Sequence, residues 1–423
     1  MTETSEKILD AITNHYLQSG DFNGISIEEL QTIVGLTQKD LEVILIQLVH
    51  EEKISINFGD RHPNPYIKAF DPESKSEQIE KLKKYKLQYA CVYPEKKHLQ
   101  TVVNTNQYSG RPFTLKLALG EAQLSYLSFD LSVLEVYRND PRYHYSTDDI
   151  QGWISISDRY YESEEVPESD QVLLESFSFS YDREFKRTVA VFLIYLSRLS
   201  PEHQQIWNAR LIEGTFTLHP EYALSVCGRF PENESVFTAF ITELQVINEM
   251  CAAMGKPPLF HNDFKDKGKP REFSFLIRPT AKEFQDFVLI LDKMLSDNIN
   301  RDFFKGDVDL EDEITRSDGK IQVIQKGTIR LLEEWIKQKF PVEDSQPITD
   351  MIECFKEVRK IRQRPAHALD DNEFNQEFFK KQRDLIFKTY ASLRALRLLL
   401  ANHPKCKQIV ILDWLYEGKI SPF

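Results

Sequence analysis

Ile8, Leu9, Ile12 and Tyr16 fall three and four residues apart, the spacing of one helical face. Ser26 stands three residues before Glu29, a pairing that satisfies the free amides of a helix start. Thr37 opens a third segment with apolar positions at Leu41, Ile44, Leu45 and Leu48. Ile54, Ile56 and Phe58 then alternate as a half-buried strand does, and Gly59, Pro63 and Pro65 predict a turn into a return strand over 66–70. Residues 71–90 are charge-rich (ESKSEQIEKLKKYK) and read as a linker helix. Beyond them Phe113, Leu115 and Leu117 alternate, as do Leu124, Tyr126 and Ser128, and strands are also predicted over 153–157 and 176–181. Helical spacing dominates from 183 to 300, with helices predicted over 185–199, 235–254 and 281–295. The acidic run from Asp307 to Glu313 reads as a boundary.

Three helical segments follow it. The first, over 321–340, carries Ile324, Leu331, Leu332, Trp335 and Ile336 on one face. The second, over 347–362, carries Ile348, Met351, Ile352 and Phe355, and the third, over 373–401, carries Phe374, Phe378, Leu385, Ile386, Leu393, Leu396 and Leu400. Short polar links make an antiparallel bundle the economical arrangement. The fold class expected is therefore multidomain, mainly α with an α+β middle. Its parts are an N-terminal domain over 1–70, the linker helix over 71–90, an α+β domain over 91–306, an acidic linker over 307–319 and a helical domain over 320–423.

The order of elements in the first domain is that of a winged helix. Its third helix would be the reading helix of a DNA-binding version. That helix offers Lys39 against Asp40, Glu42, Glu51 and Glu52, which points to a protein partner more than to DNA.

Composition narrows the function. The chain has 53 Lys and Arg against 66 Asp and Glu, a net charge of -13, so any grip on nucleic acid must come from a local basic patch. The five cysteines are scattered and form no C-x-x-C pair, which argues against a disulfide framework and a zinc site. The polar opening MTETSEKILD has no apolar signal core, and no stretch approaches about 18 uninterrupted apolar residues. A cytoplasmic protein that does not cross a membrane is expected.

The end of the second C-terminal helix carries the candidate chemistry. Arg359 and Arg362 fall on or beside its apolar stripe, where each needs a partner anion, a ligand or a second subunit to offset desolvation. Pro365 disfavours helical geometry at Arg364 and can itself open a new turn, which would put His367 in the first turn of a following segment. Positive charge there favours a neutral imidazole and attracts a phosphate. A neutral histidine beside an arginine-held phosphate is what activation of a ribose 2′-hydroxyl requires. The plainer reading is that Arg362 caps its helix and His367 is a surface turn residue.

The segment Arg362-Gln363-Arg364-Pro365-Ala366-His367 resembles the R-x4–6-H signature of HEPN domains, small helical bundles that are usually dimeric. The resemblance covers about residues 315–405. It implies that Arg362 and His367 are a catalytic pair of a metal-independent ribonuclease of the defence or toxin kind, and that a homodimer forms through the C-terminal domain. The position after the arginine is often Asn, Asp or His in that family; Gln363 is polar but none of these.

Arg138-Asn139-Asp140-Pro141-Arg142-Tyr143-His144-Tyr145 interleaves arginines and aromatics, as single-strand RNA-binding loops do, but Asn-Asp-Pro also reads as an ordinary turn. Arg359 and Arg364 are further RNA-binding candidates beside the catalytic pair. Asp307, Asp309 and Glu311 lack the Gly and Glu that a calcium loop needs at its sixth and twelfth positions. No P-loop, dinucleotide fingerprint, HExxH or G-x-S-x-G motif is present, so neither metal nor cofactor is expected. Two functions follow: an endoribonuclease acting on RNA, or a non-enzymatic regulator whose helical domain only dimerises.

Overall fold

The computed structural model describes residues 3–61, 64–68, 72–84, 89–161, 163–226, 228–265, 268–317, 320–340, 344–363 and 372–421. Mixed α and β, about half of it helical, it forms two compact units: Met1–Val133 with Asp140–His144 and Trp153–Leu218, and Leu134–Asn139 with Tyr145–Gly152 and His219–Phe423.

The first unit opens with α1 (Glu3–Gln18), β1 (Ile25–Ser26), α2 (Ile27–Val34), α3 (Gln38–His50), β2 (Ile54–Phe58), α4 (Lys75–Lys84) and β3 (Ala90–Pro94). The local signals set these boundaries. The Ser26 hydroxyl accepts from the Glu29 amide at 3.1 Å, and Thr37 accepts from the Asp40 amide at 3.2 Å. Gly35 ends α2 at φ +68°, a conformation that costs a side-chain-bearing residue about 1 kcal/mol or more.

Two expectations fail here. Among the described residues the strand that pairs with β2 is β3, residues 66–68 form no strand, and the sheet order is β1-β3-β2. The expected linker helix is no spacer, since Ile79 and Leu82 of α4 are buried in the same core as Ile8, Leu41 and Leu45.

The chain continues through α5 (Lys96–Val102), α6 (Pro112–Ala118), β4 (Tyr126–Phe129), α7 (Glu135–Arg138), β5 (Tyr143–Thr147), β6 (Gln151–Ile156), β7 (Leu173–Tyr181), β8 (Arg187–Phe192), α8 (Leu193–Ser197), α9 (Pro201–Asn208), β9 (Leu211–Ile212) and β10 (Thr217–Leu218). The strands form one sheet in the order β5-β6-β7-β8-β4-β9, and β10 pairs with β7. Phe113 and Leu117, expected on a strand, are one turn apart on α6, both buried, with Pro112 at its first turn. The helix expected over 185–199 is instead the β8 strand followed by the short α8.

The second unit carries α10 (Pro220–Val226), α11 (Val236–Met254), α12 (Ala281–Met294), β11 (Glu311–Thr315), β12 (Ile321–Gln325), α13 (Thr328–Lys339), α14 (Gln346–Gln363), α15 (Glu377–Ala401) and α16 (Asp413–Glu417). α15 packs on α11 and α14, and α12 packs on α14. One core joins Phe240, Leu291, Trp335, Phe355 and Leu396, so α11 and α12 belong to the same body as the last three long helices. Each such large side chain contributes about 1.5–3 kcal/mol by leaving water.

The acidic run does not separate two cores. Asp307 accepts from the Trp335 indole at 2.8 Å and from Lys339 at 2.8 Å, and Glu311–Thr315 is a strand paired with Ile321–Gln325. Ile324 accordingly lies on that hairpin and not on the apolar face of α13. No helix among the described residues is long and apolar enough to cross a membrane.

Candidate functional site

Met351, Ile352, Phe355 and Val358 bury one face of α14, and Arg359 and Arg362 extend that face to the helix end. The side chain of Arg362 is about one-third exposed, at 32%. Its cationic neighbours Lys360 and Arg359 suit a helix C-terminus, where backbone carbonyls leave partial negative charge.

The partner anions come from α12 and the turn after it. Arg362 Nη1 donates to Asp292 Oδ2 at 2.6 Å and also to Asp297 Oδ2. Arg359 Nη2 donates to Asp297 Oδ1, and its Nε lies 3.3 Å from Asp292 Oδ2. Asp292 is fully buried, and its Oδ1 has no hydrogen-bond partner among the described residues. The Asp297 amide donates to the Asp292 carbonyl at 3.0 Å, which fixes the two carboxylates side by side. A buried carboxylate at a helix C-terminus is doubly disfavoured, by desolvation and by the helix dipole, so the two guanidiniums compensate both.

The hydrogen bonds that Arg362 donates to Asp292 and then Asp297 hold its pKa above the ordinary arginine value, so its charge is permanent. Both contacts use Nη1. The Nε–Nη2 edge donates to no described residue, and that edge has the fork geometry that matches two phosphate oxygens. Arg362 therefore reaches across to a neighbouring helix.

Gln363 is exposed at the last position of α14. Arg364 and His367 lie outside the described residues. The other candidates are engaged elsewhere. Arg138 forms a two-pronged pair with Glu283, at 2.9 and 3.3 Å, and its carbonyl accepts from Arg271 at 3.0 Å. Arg142 grips Asp140 at 2.7 Å and Asp170 at 2.8 Å. Tyr143 is 2% exposed and packs edge-on against His203, so its ring cannot stack on a base. Arg138 and Arg142 are thus each held by carboxylates of the same chain.

Asp292 and Asp297 were not anticipated, although Asp292 carried a signal. It falls four residues beyond Val288 and eight beyond Phe284, on the buried stripe of α12. A lone charge on an apolar stripe asks for a partner, and the arginines on the stripe of α14 ask the same question from the other side.

Comparison with protein-family models, with curated proteins and with solved structures returns no match.

Proposed function

We propose that the chain is a metal-independent endoribonuclease of the HEPN kind, with Arg362 and His367 as its working pair. The observation that carries this reading is the posture of Arg362. One guanidinium nitrogen is pinned by Asp292 and Asp297, while the Nε–Nη2 edge has no partner among the described residues, on a side chain about one-third exposed. In this scheme His367, five positions on, takes the proton of a ribose 2′-hydroxyl. The 2′-oxygen attacks phosphorus, the 5′-oxygen leaves with a proton returned by an imidazolium, and Arg362 stabilises the negative charge that builds on the phosphoryl oxygens. The products are a 2′,3′-cyclic phosphate and a 5′-hydroxyl. Gln363 would orient the nucleotide, Arg359 and Arg364 would add positive charge for RNA, and a homodimer would bring two copies of the pair together.

The N-terminal part is read as a winged helix on the strength of its order of elements and its β1-β3-β2 sheet. Ile33 and Val43 are exposed on α2 and α3, beside Asp40, which favours a protein partner there over DNA.

A second reading has its own support. Arg359 and Arg362 already face two carboxylates of the same chain, a set of two cations and two anions with no net charge. A regulator whose helical unit only assembles would need no more than this.

One experiment separates the two. Purified full-length chain is incubated with total RNA in EDTA, beside His367→Ala. The nuclease reading expects cleavage leaving 2′,3′-cyclic phosphate ends in the wild type and none in the variant. Equal cleavage by both proteins, or cleavage only after magnesium is restored, overturns it.

A further inference from the structure

The β11–β12 hairpin stands almost wholly in water. Every residue of β12 is exposed, as are all but Asp312 in β11, and the two strands form a sheet of their own. Its base is anchored. Arg330 pairs with Asp312, Lys326 donates to Glu334 at 2.7 Å, and Arg301 holds the Leu310 carbonyl at 3.1 Å. Exposed at the same time are Ile314 at 48%, Ile321 at 64%, Val323 at 53% and Ile324 at 41%. Four branched apolar side chains on an uncovered two-stranded sheet are what edge protection normally removes.

The register decides which backbone groups are free. Arg316 N–H donates to the Lys320 carbonyl and Lys326 N–H to the Leu310 carbonyl, so the pairs Asp312–Ile324 and Ile314–Gln322 also exchange hydrogen bonds across the hairpin. The alternate residues point their N–H and C=O outward: Ile321, Val323 and Gln325 on β12, and Glu311, Glu313 and Thr315 on β11. The two edges differ in charge. β11 carries Glu311, Asp312 and Glu313, whereas β12 (IQVIQ) carries no charge at all.

We propose that the outer edge of β12 pairs antiparallel with the same edge of a second copy of this chain, about a two-fold axis at Val323. In that register Val323 faces Val323, and Ile321 faces Gln325, each pair exchanging two hydrogen bonds. The acidic strands are carried to the outside of a four-stranded sheet, roughly 14 Å apart at strand spacings of about 4.8 Å. Pairing through β11 would instead set Glu313 directly against Glu313 at about 5 Å, a repulsive contact. Pairing β11 of one copy with β12 of the next leaves a free edge at each end and does not close. The second copy through β12 is the occupant that satisfies the backbone, sets Val323 against Val323 and Ile321 against Gln325, and closes. This surface uses none of the residues of the RNA chemistry proposed above, so RNA cleavage and dimerisation are read out separately, although a chain that stays monomeric would also remove the homodimer invoked there.

The test is the mass of the full chain in solution by light scattering, with Val323→Pro and Val323→Lys as variants. Proline removes only an outward amide, so the hairpin keeps its own hydrogen bonds, and lysine sets two like charges on the axis. The expected result is twice the 49.5 kDa chain mass for the wild type and at least about tenfold weaker association for both variants. Val323→Cys should cross-link as a dimer under mild oxidation, while Glu313→Cys should not. A wild type that stays monomeric, a dimer untouched by either variant, or assemblies that grow without limit would each overturn the proposal.

Discussion

Arg397 and Arg362 both pair with carboxylates in the helical unit, and they differ in access to water. Arg397 on α15 and Glu243 on α11 are each fully buried, joined by one bond of 2.6 Å from Nε to Oε2. Burial pushes the Glu243 carboxyl up against the pull of Arg397 and Arg394. Arg397 Nη1 and Nη2 and Glu243 Oε1 have no hydrogen-bond partner among the described residues. Arg362 shares its carboxylates with Arg359 and is itself about one-third exposed. The first arrangement locks two helices together, since neither ion can find water if the other is lost. The second can lose a partner, be rehydrated, or accept a phosphate. Burial and not ion-pair geometry separates a structural pair from a candidate site.

That contrast predicts a graded series. The largest effect belongs to Arg397→Met, which strands Glu243 without a partner. We expect a loss of about 3–5 kcal/mol in urea unfolding and a melting temperature lower by roughly 10 °C. Adding Glu243→Leu should restore most of it, and a single variant as stable as the wild type would remove the basis of the comparison.

Asp307 comes next, at 20% exposure. Burial alone would raise its pKa, but donors from Lys256, Lys339 and Trp335 outweigh it and hold the carboxyl well below the usual range. A depressed folded-state pKa adds stability above the unfolded value, near pH 4, and that stability is lost as pH falls through the folded value. Asp307→Asn should cost about 2 kcal/mol at neutral pH and flatten the stability curve below about pH 4. An unchanged acid limb would show that these donors do not act through the Asp307 charge.

The smallest loss of stability is expected for Arg362→Ala, about 1 kcal/mol, because Arg359 still faces Asp292 at 3.3 Å and the site admits water. RNA cleavage should fall by about 10²–10³ in the same variant. A stability loss as large as that of Arg397→Met, with cleavage intact, would move Arg362 into the structural class.

Local signals in the sequence carried far, and their failures have physical reasons. The caps at Ser26 and Thr37 and the long periodic runs of α11, α12, α14 and α15 stand where the pattern put them. Phe113, Leu115 and Leu117 misled because three positions fit a period of two and a helical turn equally well. β3 escaped because its residues from Ala90 to Pro94 are apolar throughout, without the polar Ser55 and Asn57 that give equally buried β2 its alternation. Over 321–340 the apolar residues of a strand and a helix ran together, and Gly327 is the break between them.

By itself the sequence determined where α2, α3, α11, α12 and α14 start, which stripe each buries, and that Arg359 and Arg362 sit on a stripe that cannot leave them unpaired. These are properties of residues within a turn or two of one another, and they need no partner to be expressed. Which carboxylates answer those arginines was decided only by the fold. Arg362 meets Asp292 across 70 residues of chain, and Arg397 meets Glu243 across 154. A charge on a buried face fixes the need for a counter-ion but not its identity. That identity belongs to whichever helix the packed core places opposite.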